Sequence, residues 1–159
     1  MGEWHRATHE SSLANFSPGI TAALKKHIGD YQLGSILSDV QMCVETRSEK
    51  IKKGLFGSAE AVLTAVILTP RWLLWTIQEG KGAVTAISAR LADIVVVDYS
   101  KSSMAKLIAD SGIEVTGEFT GVSHGGLSDQ RGSIFIGLDA GEAARKFEDM
   151  LIKAVKDNK

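Results

Sequence analysis

The chain has 159 residues, and its 18 Lys and Arg residues nearly balance 19 Asp and Glu residues, so that the net charge is −1 at pH 7. This length is sufficient for one domain with a substantial core, and the balanced charge excludes the overall positive field that attracts nucleic acid. The single cysteine, Cys43, excludes an intramolecular disulfide and favours a reducing compartment, so we expect a cytoplasmic protein.

Residues 1–38 are predicted to be an N-terminal extension. Residues 1–16 are polar and mixed, which predicts a frayed helix or a disordered segment. Ser17 and Pro18 supply an N-cap and a first helical residue, and apolar residues then recur at helical spacing. The sequence therefore predicts one amphipathic helix over about 18–33.

Residues 39–159 are predicted to form the main domain, which begins with a succession of short strands. The strands are expected at about 39–52, 61–68, 72–77, 83–91, 93–99, 113–119 and 134–138. Three residues join 61–68 to 72–77, so these two strands must pair antiparallel. The same tract, 61–77, is too often interrupted by polar residues to cross a membrane, and no transmembrane segment is predicted.

The hairpins that follow predict a meander, with a short helical turn inside 102–110. The clearest local signal is a C-terminal helix over Ala140–Lys156. Asp139 and Glu142 have capping-box spacing at its start. An apolar stripe along the helix is expected to cover a sheet, and it consists of Ala144, Phe147, Leu151 and Val155.

Seven strands in meander order followed by one helix resemble the pleckstrin-homology-like (PH-like) fold, an α+β antiparallel barrel in which the helix plugs one open end. The segment Val66–Trp75, with the sequence VILTPRWLLW, resembles a hairpin of bacterial PH-like and GRAM-like domains. The resemblance covers about 39–156. It implies a scaffold that binds lipids, peptides or a second copy of itself, with no catalysis and no cofactor.

Phosphoinositide-binding members of this family carry basic residues on the first strand and an Arg on the second. The first part is matched here, but the second strand, 61–68, has no basic residue, so phosphates would meet cations on one side only. Peripheral attachment to anionic membrane lipid remains an alternative function, since basic residues attract such lipids and apolar ones insert. The residues expected to carry it are Lys50, Lys52, Lys53, Leu55 and Phe56.

Two regions offer catalytic residue types. Asp98 ends an apolar strand, where α/β enzymes place acids, but preceding hairpins favour an ordinary strand that ends in a polar turn. The loop 121–132 contains Ser, His and Asp, but triads are assembled by a fold rather than within one loop, which favours a mobile hairpin tip. We therefore expect no enzyme, with a small enzyme that uses Asp98 or the 121–132 loop as an alternative.

Three other residues, His5, His9 and Cys43, are of types that can bind a metal or react as a nucleophile. His5 and His9 would share one face of a helix and form half of a metal site, but solvated terminal histidines are the favoured interpretation. No metal is therefore predicted. Cys43 lies on a strand with no basic neighbour in sequence, which predicts a small buried hydrophobic residue rather than a reactive thiolate.

The leading hypothesis is non-catalytic binding of a protein partner or self-association. Trp72 and Trp75 lie on opposite faces of one strand, so at most one of them can point into the barrel. The other is covered either by the helix at 18–33 or by a partner, and an exposed sheet edge can recruit an extended segment. Trp72 and Trp75 are therefore the predicted interface residues.

Overall fold

The computed structural model describes residues 4–50, 60–108, 110–121 and 131–159, which contain eight strands and two α-helices. The strands are β1 (Trp4–Ser11), β2 (Met42–Lys50), β3 (Glu60–Leu68), β4 (Trp72–Glu79), β5 (Thr85–Arg90), β6 (Ile94–Asp98), β7 (Gly112–Glu118) and β8 (Arg131–Gly137). The helices are α1 (Pro18–Asp30) and α2 (Glu142–Asp157). In this part of the chain, no helix is long and apolar enough to cross a membrane.

The strands form two antiparallel sheets, one of five strands in the order β1-β2-β3-β4-β5 and one of three in the order β6-β7-β8. The prediction of an α+β fold with a C-terminal helix is confirmed. The prediction of a closed seven-stranded barrel is wrong for the described residues. A single 3-10 turn, Leu91–Asp93, separates β5 from β6 and carries the chain from one sheet to the other, so these strands form no hairpin.

The main core lies between the two sheets and beneath α2. The five-stranded sheet contributes fully buried residues such as Val66 and Trp75, and the three-stranded sheet contributes Ile113 and Val115. The predicted stripe of α2 is buried against them, with Ala144, Phe147, Leu151 and Val155 each under a tenth exposed. An apolar face repeating at helical spacing is what fixes α2 over the sheets.

A second core lies on the outer face of the five-stranded sheet, under α1. Ser17 caps this helix by accepting the Ile20 N–H at 3.3 Å, as the sequence predicts. Leu24 packs into the cluster, and the buried His27 ring contacts the Ser88 hydroxyl of β5 with an Nε2–Oγ distance of 2.8 Å. The α1 helix is therefore held to the sheet by both apolar and polar contacts.

The segment expected to be a frayed helix or disordered is instead β1, which pairs with β2 along its whole length. The prediction failed because the face of β1 that turns toward the second sheet is polar. Thr8 lies opposite Thr46, and their hydroxyls are 2.8 Å apart. Because polar residues occupy both faces of β1, its sequence lacks the alternation of apolar and polar residues that predicts a strand.

The first turn of α2 also differs from the prediction. The helix begins at Glu142 and its N-cap is Gly141, so the capping box between Asp139 and Glu142 does not form. Asp139 Oδ1 accepts the Gly141 N–H at 2.8 Å, and its Oδ2 accepts the backbone N–H of Thr8 at 2.7 Å. The carboxylate therefore joins the start of α2 to β1.

Arg6 makes a second link from β1, to the segment that leads into β7. Its Nε and Nη2 donate to the two carboxylate oxygens of Asp110 at 3.1 and 2.8 Å, and its Nη1 donates to the Ser48 hydroxyl. The guanidinium also stacks over the rings of Trp4 and Phe135. Both members of the ion pair are largely buried, so this contact is part of the interior rather than the surface.

Candidate functional site

A groove of about 690 Å³ runs between β6 and α2. One wall is the second half of β6, from Val96 to Asp98, and the other is the flank of α2 that carries Arg145, Glu148, Asp149 and Ile152. The segments 110–112 and 138–141 close the end beyond Asp98. The lining of this groove combines apolar and ionisable side chains.

The β6 strand is an edge strand, and within the described ranges it pairs with β7 on one side only. The Leu138 N–H donates to the Ser111 carbonyl, so the odd-numbered residues of β7 bond to β8. Because bonding alternates along an antiparallel strand, the even-numbered residues of β7 bond to Val95 and Val97 of β6. The backbone N–H and C=O of Val96 therefore point away from β7, toward the free edge.

One end of this edge is occupied by Lys159. Its Nζ donates to the carbonyls of Ile94 and Ala92 at 2.8 and 2.9 Å, which also confirms that the Ile94 carbonyl faces outward. The C-terminal residues of α2 thus lie beside the start of β6, and Glu148 lies beside its end. The helix and the strand run in opposite directions, and the edge from Ile94 to Asp98 is roughly 13 Å long at about 3.3 Å per residue.

At the other end, Asp98 on β6 and Glu148 on α2 line the groove from its two walls, and each side chain shifts the pKa of the other. Hydrogen bonds from Ser100, whose backbone N–H is 2.8 Å from Asp98 Oδ1, lower the pKa of Asp98. Burial, followed by the contact with Asp98, raises the pKa of Glu148 from 4.5 to about 7. Near neutral pH, Asp98 is therefore ionised, whereas Glu148 is present in both its protonated and its ionised form.

The charged residues around this pair are mixed in sign. Asp149 raises the pKa of Glu148 further, and Lys101, on the turn that follows β6, opposes it. Arg145 lines the groove one helical turn before Glu148. The pair is therefore flanked by cations, but neither Asp98 nor Glu148 forms an ion pair with them in the described part of the chain.

Asp98, which the sequence marked as a candidate, is placed in this groove. The β6 strand runs antiparallel to β7 and ends in the 3-10 turn Tyr99–Lys101, so the observed structure is a strand ending in a polar turn rather than part of a βαβ unit. Glu148 was missed. It lies beside the stripe residue Phe147 on α2 and far from Asp98 in the chain, so no local pattern connected the two carboxyls.

The two tryptophans do not form an open interface. Trp75 is fully buried between the sheets, where its ring packs edge-on against Phe119. Trp72 lies on the opposite face, as predicted, and is half-buried against the cluster under α1, with the Arg90 guanidinium over its ring. Trp72 therefore packs against the chain's own apolar cluster, which includes residues of α1, and Trp75 has no surface to offer a partner.

Other predicted sites lie largely outside the described residues. Lys50 ends β2 opposite Trp4, whereas Lys52, Lys53, Leu55, Phe56 and positions 122–130 fall outside the described ranges, so the membrane-lipid site stays a prediction. His5 and His9 lie on an exposed strand rather than a helix. Cys43 is buried as predicted, and burial raises the pKa of its thiol to about 11.

Comparison of the chain with protein-family models, with curated proteins and with solved structures finds no match. The resemblance to PH-like domains therefore stays a prediction from the pattern of the sequence.

Proposed function

We propose that this protein is a non-catalytic binding domain that takes up an extended segment of a partner protein in the groove between β6 and α2. The observation that carries the proposal is the free edge of β6, whose outward backbone groups lie along a groove. An extended segment that enters there continues the three-stranded sheet by main-chain hydrogen bonds, which is a general mode of peptide recognition.

The backbone of β6 supplies the affinity of this mode. At Val96 both the N–H and the C=O face the free edge, and unpaired groups at an edge strand are a template for another strand. The edge between Lys159 and the Asp98–Glu148 pair has room for about four residues of an added strand. Few contacts of this kind give modest affinity, so side-chain contacts must provide the rest.

The flank of α2 supplies those side-chain contacts. Ile152 is 40% exposed and lines the groove opposite Val96 and Val97, so an apolar side chain of the added strand is covered there. Alternate side chains of a strand point to opposite faces. We therefore expect a partner segment in which an apolar residue that contacts Ile152 alternates with residues facing solvent.

The experiment is selection from a phage-displayed library of random peptides of about ten residues, which is longer than the edge requires. Val96→Pro removes the outward N–H and leaves the pairing with β7 intact, because that N–H bonds to nothing within the sheet. The matched control is Ser133→Pro on β8, whose backbone faces the other free edge of the same sheet. Selected peptides should bind the wild type and Ser133→Pro, and lose at least tenfold in affinity for Val96→Pro.

Equal binding to both proline variants would show that β6 does not bind the segment, and the proposal would be rejected. Circular dichroism and urea unfolding of both variants establish that each is folded. Sedimentation equilibrium of the unliganded chain tests a second copy as the partner, since self-association through this edge would weaken in Val96→Pro and persist in Ser133→Pro.

A second candidate function is acid–base hydrolysis, which is favoured by one specific observation. Asp98 has a lowered pKa and Glu148 a pKa raised to about 7, and both line one groove; two carboxyls with pKa values pushed apart are an arrangement that acid–base catalysts use. Fluorescein-labelled casein is a suitable probe for peptide hydrolysis. Cleavage that disappears in Glu148→Gln would support this function, and no cleavage by the wild type would count against it.

A further inference from the structure

We propose that a second cavity, which lies between the two sheets, binds a small neutral molecule that is mostly apolar and carries one carbonyl oxygen. The cavity has a volume of about 240 Å³. In the described part of the chain it shares no lining residue with the groove between β6 and α2. The proposal is therefore independent of the function proposed for that groove.

The cavity is enclosed by the inward face of the five-stranded sheet and by β8. Strands β1 to β4 line one side, and residues 135–137 of β8 line the other. The inward positions of β2 and β3 at this end include Ser48 and Thr64. These side chains are shorter than Met42 and Leu68, which fill the core at the other end of the same two strands. The two sheets are therefore not filled by their own side chains here.

The lining contains a hydrogen-bond donor without an acceptor. Trp75 of β4 lines the cavity and is fully buried. Its indole Nε1–H has no hydrogen-bond partner in the part of the chain that the structure describes. A buried donor that lacks an acceptor costs free energy, and an acceptor atom brought in by a ligand removes that cost. The proposal assigns the carbonyl oxygen of the ligand to this N–H.

Most of the remaining lining is apolar or aromatic. Trp4 and Phe135 are each 37% exposed, so the cavity reaches the surface beside their rings, and Ile77 and Ile136 also line it. The Arg6 guanidinium lies 5.2 Å from the centroid of the Trp4 ring and 5.4 Å from that of Phe135, and it holds both rings in place. Apolar walls with a single buried donor are typical of sites for small organic molecules.

The charges around the cavity favour a neutral ligand. The Arg6 side chain is a cation in the lining, but its Nε and Nη2 donate to Asp110, and its Nη1 donates to the Ser48 hydroxyl. The ion pair with Asp110 therefore already balances its charge. Glu79 lines the cavity and adds a negative charge. A carboxylate ligand would meet a neutralised guanidinium and the repulsion of Glu79.

The volume indicates the size of the ligand. It is about eight times the share that one water molecule occupies in the liquid. A cluster of waters would be poorly bound by these walls, because an ordered buried water needs about two to four polar partners. A molecule with one ring and one carbonyl group fits both the volume and the single donor.

The experiment compares three probes of nearly equal size. Acetophenone has a ring and a carbonyl oxygen, α-methylstyrene has a methylene group in place of that oxygen, and benzoate is an anion. Dissociation constants are measured by NMR titration of the full-length chain labelled with ¹⁵N, in which the Trp75 indole signal is the one absent from Trp75→Phe. We expect acetophenone to bind and to move this signal downfield, α-methylstyrene to bind without a downfield shift, and benzoate to bind at least about tenfold more weakly than acetophenone.

Trp75→Phe keeps an aromatic ring in the core and removes the donor. The preference for acetophenone over α-methylstyrene should therefore fall about tenfold, and the comparison of two ligands cancels changes in packing that affect both. Val62→Phe fills the cavity from β3 and answers the question separately if Trp75→Phe does not fold. It should abolish binding of both neutral probes. Val95→Phe, on an exposed position of β6, is the matched control and should leave binding unchanged.

Three outcomes would overturn the proposal. The first is that acetophenone does not bind, or binds without moving the Trp75 indole signal. The second is equal binding to Val62→Phe and Val95→Phe, which would place the ligand elsewhere. The third is tighter binding of benzoate than of acetophenone, which would show that the site selects an anion. None of these outcomes bears on the peptide selection at β6, so the two proposals fail separately.

Discussion

Replacing Asp110 by Asn should destabilise the fold far more than the loss of an ordinary surface charge. Asp110 is 15% exposed and receives two hydrogen bonds from Arg6, which is itself 10% exposed. The substitution keeps the shape of the side chain and removes its charge. Arg6 is then left almost buried with a neutral partner, and an uncompensated buried charge is costly.

The magnitude follows from the distance between the charges. Two unit charges separated by 2.8 Å attract by about 6 kcal/mol at an effective dielectric constant of about 20. The Asn carbonyl still accepts one hydrogen bond from Arg6, and some solvent reaches the pair, so part of this attraction is not lost. We expect Asp110→Asn to lower the free energy of unfolding by about 3 kcal/mol, at the lower end of the range for broken buried pairs.

Urea unfolding followed by the fluorescence of the buried Trp75 measures this loss. With an m-value of about 2 kcal/mol/M, the midpoint should fall by about 1.5 M. Glu49→Gln is the matched control, because Glu49 is 37% exposed in a pair with Arg47 and should cost less than about 1 kcal/mol.

The cost of Asp110→Asn should depend on the presence of Arg6. In an Arg6→Met background no buried cation is left unpaired, so Asp110→Asn should lower the free energy of unfolding by less than about 1 kcal/mol. An equal cost of Asp110→Asn in both backgrounds, or a cost no larger than that of Glu49→Gln, would refute the claim that this ion pair is interior.

Three further predictions concern ionisable groups. Glu148→Gln should raise the free energy of unfolding by about 1–2 kcal/mol at pH 8, after allowance for solvent screening, and by little at pH 5. The reason is that the raised pKa of Glu148 contributes stability that is complete below pH 4.5 and is lost as the pH rises through about 7. Urea midpoints that respond equally at both pH values would contradict it. Burial lowers the pKa of His27, so stability should fall as pH drops below 6.5, and thermal unfolding of His27→Gln should show a smaller fall; an equal fall would mean that His27 is not the group responsible. Cys43, with its pKa raised to about 11, should react with Ellman's reagent only after urea unfolds the chain, and rapid reaction of the folded protein would show that the thiol is accessible.

Local patterns predicted the elements whose stabilising contacts are close in sequence. The N-cap at Ser17, the stripe of α2 and the β3–β4 hairpin were all predicted, because each depends on residues within one helix or one tight turn. Their buried faces are apolar and repeat with the period of the element, which is the signal that a single sequence contains.

The elements that were missed depend on contacts between distant residues. The inward face of β1 is polar, with Arg6 and Thr8, and its partner strand follows only after α1, so nothing local indicated a strand. No local pattern marks the break between the sheets at Leu91–Asp93, because β5 and β6 follow each other closely and look like neighbouring strands of one meander.

Of the two carboxyl residues in the candidate site, only Asp98 was predicted from the sequence. Asp98 was recognised because an acid after an apolar strand is a local feature. Glu148 is brought to the same groove by the rotation of α2 over the sheets, which the burial of Phe147 and Leu151 fixes. This rotation cannot be predicted from the sequence of α2 alone, because it depends on the sheets against which the helix packs.

The contact between Thr8 and Asp139 has a consequence for how the molecules behave at high concentration. The Thr8 N–H bonds to Asp139 Oδ2 rather than to β2, so the carboxylate covers a donor on the outer edge of β1. Exposed edges of this kind lead sheets of different molecules to join into aggregates. Asp139→Ala should therefore accelerate fibril formation, measured by thioflavin T fluorescence.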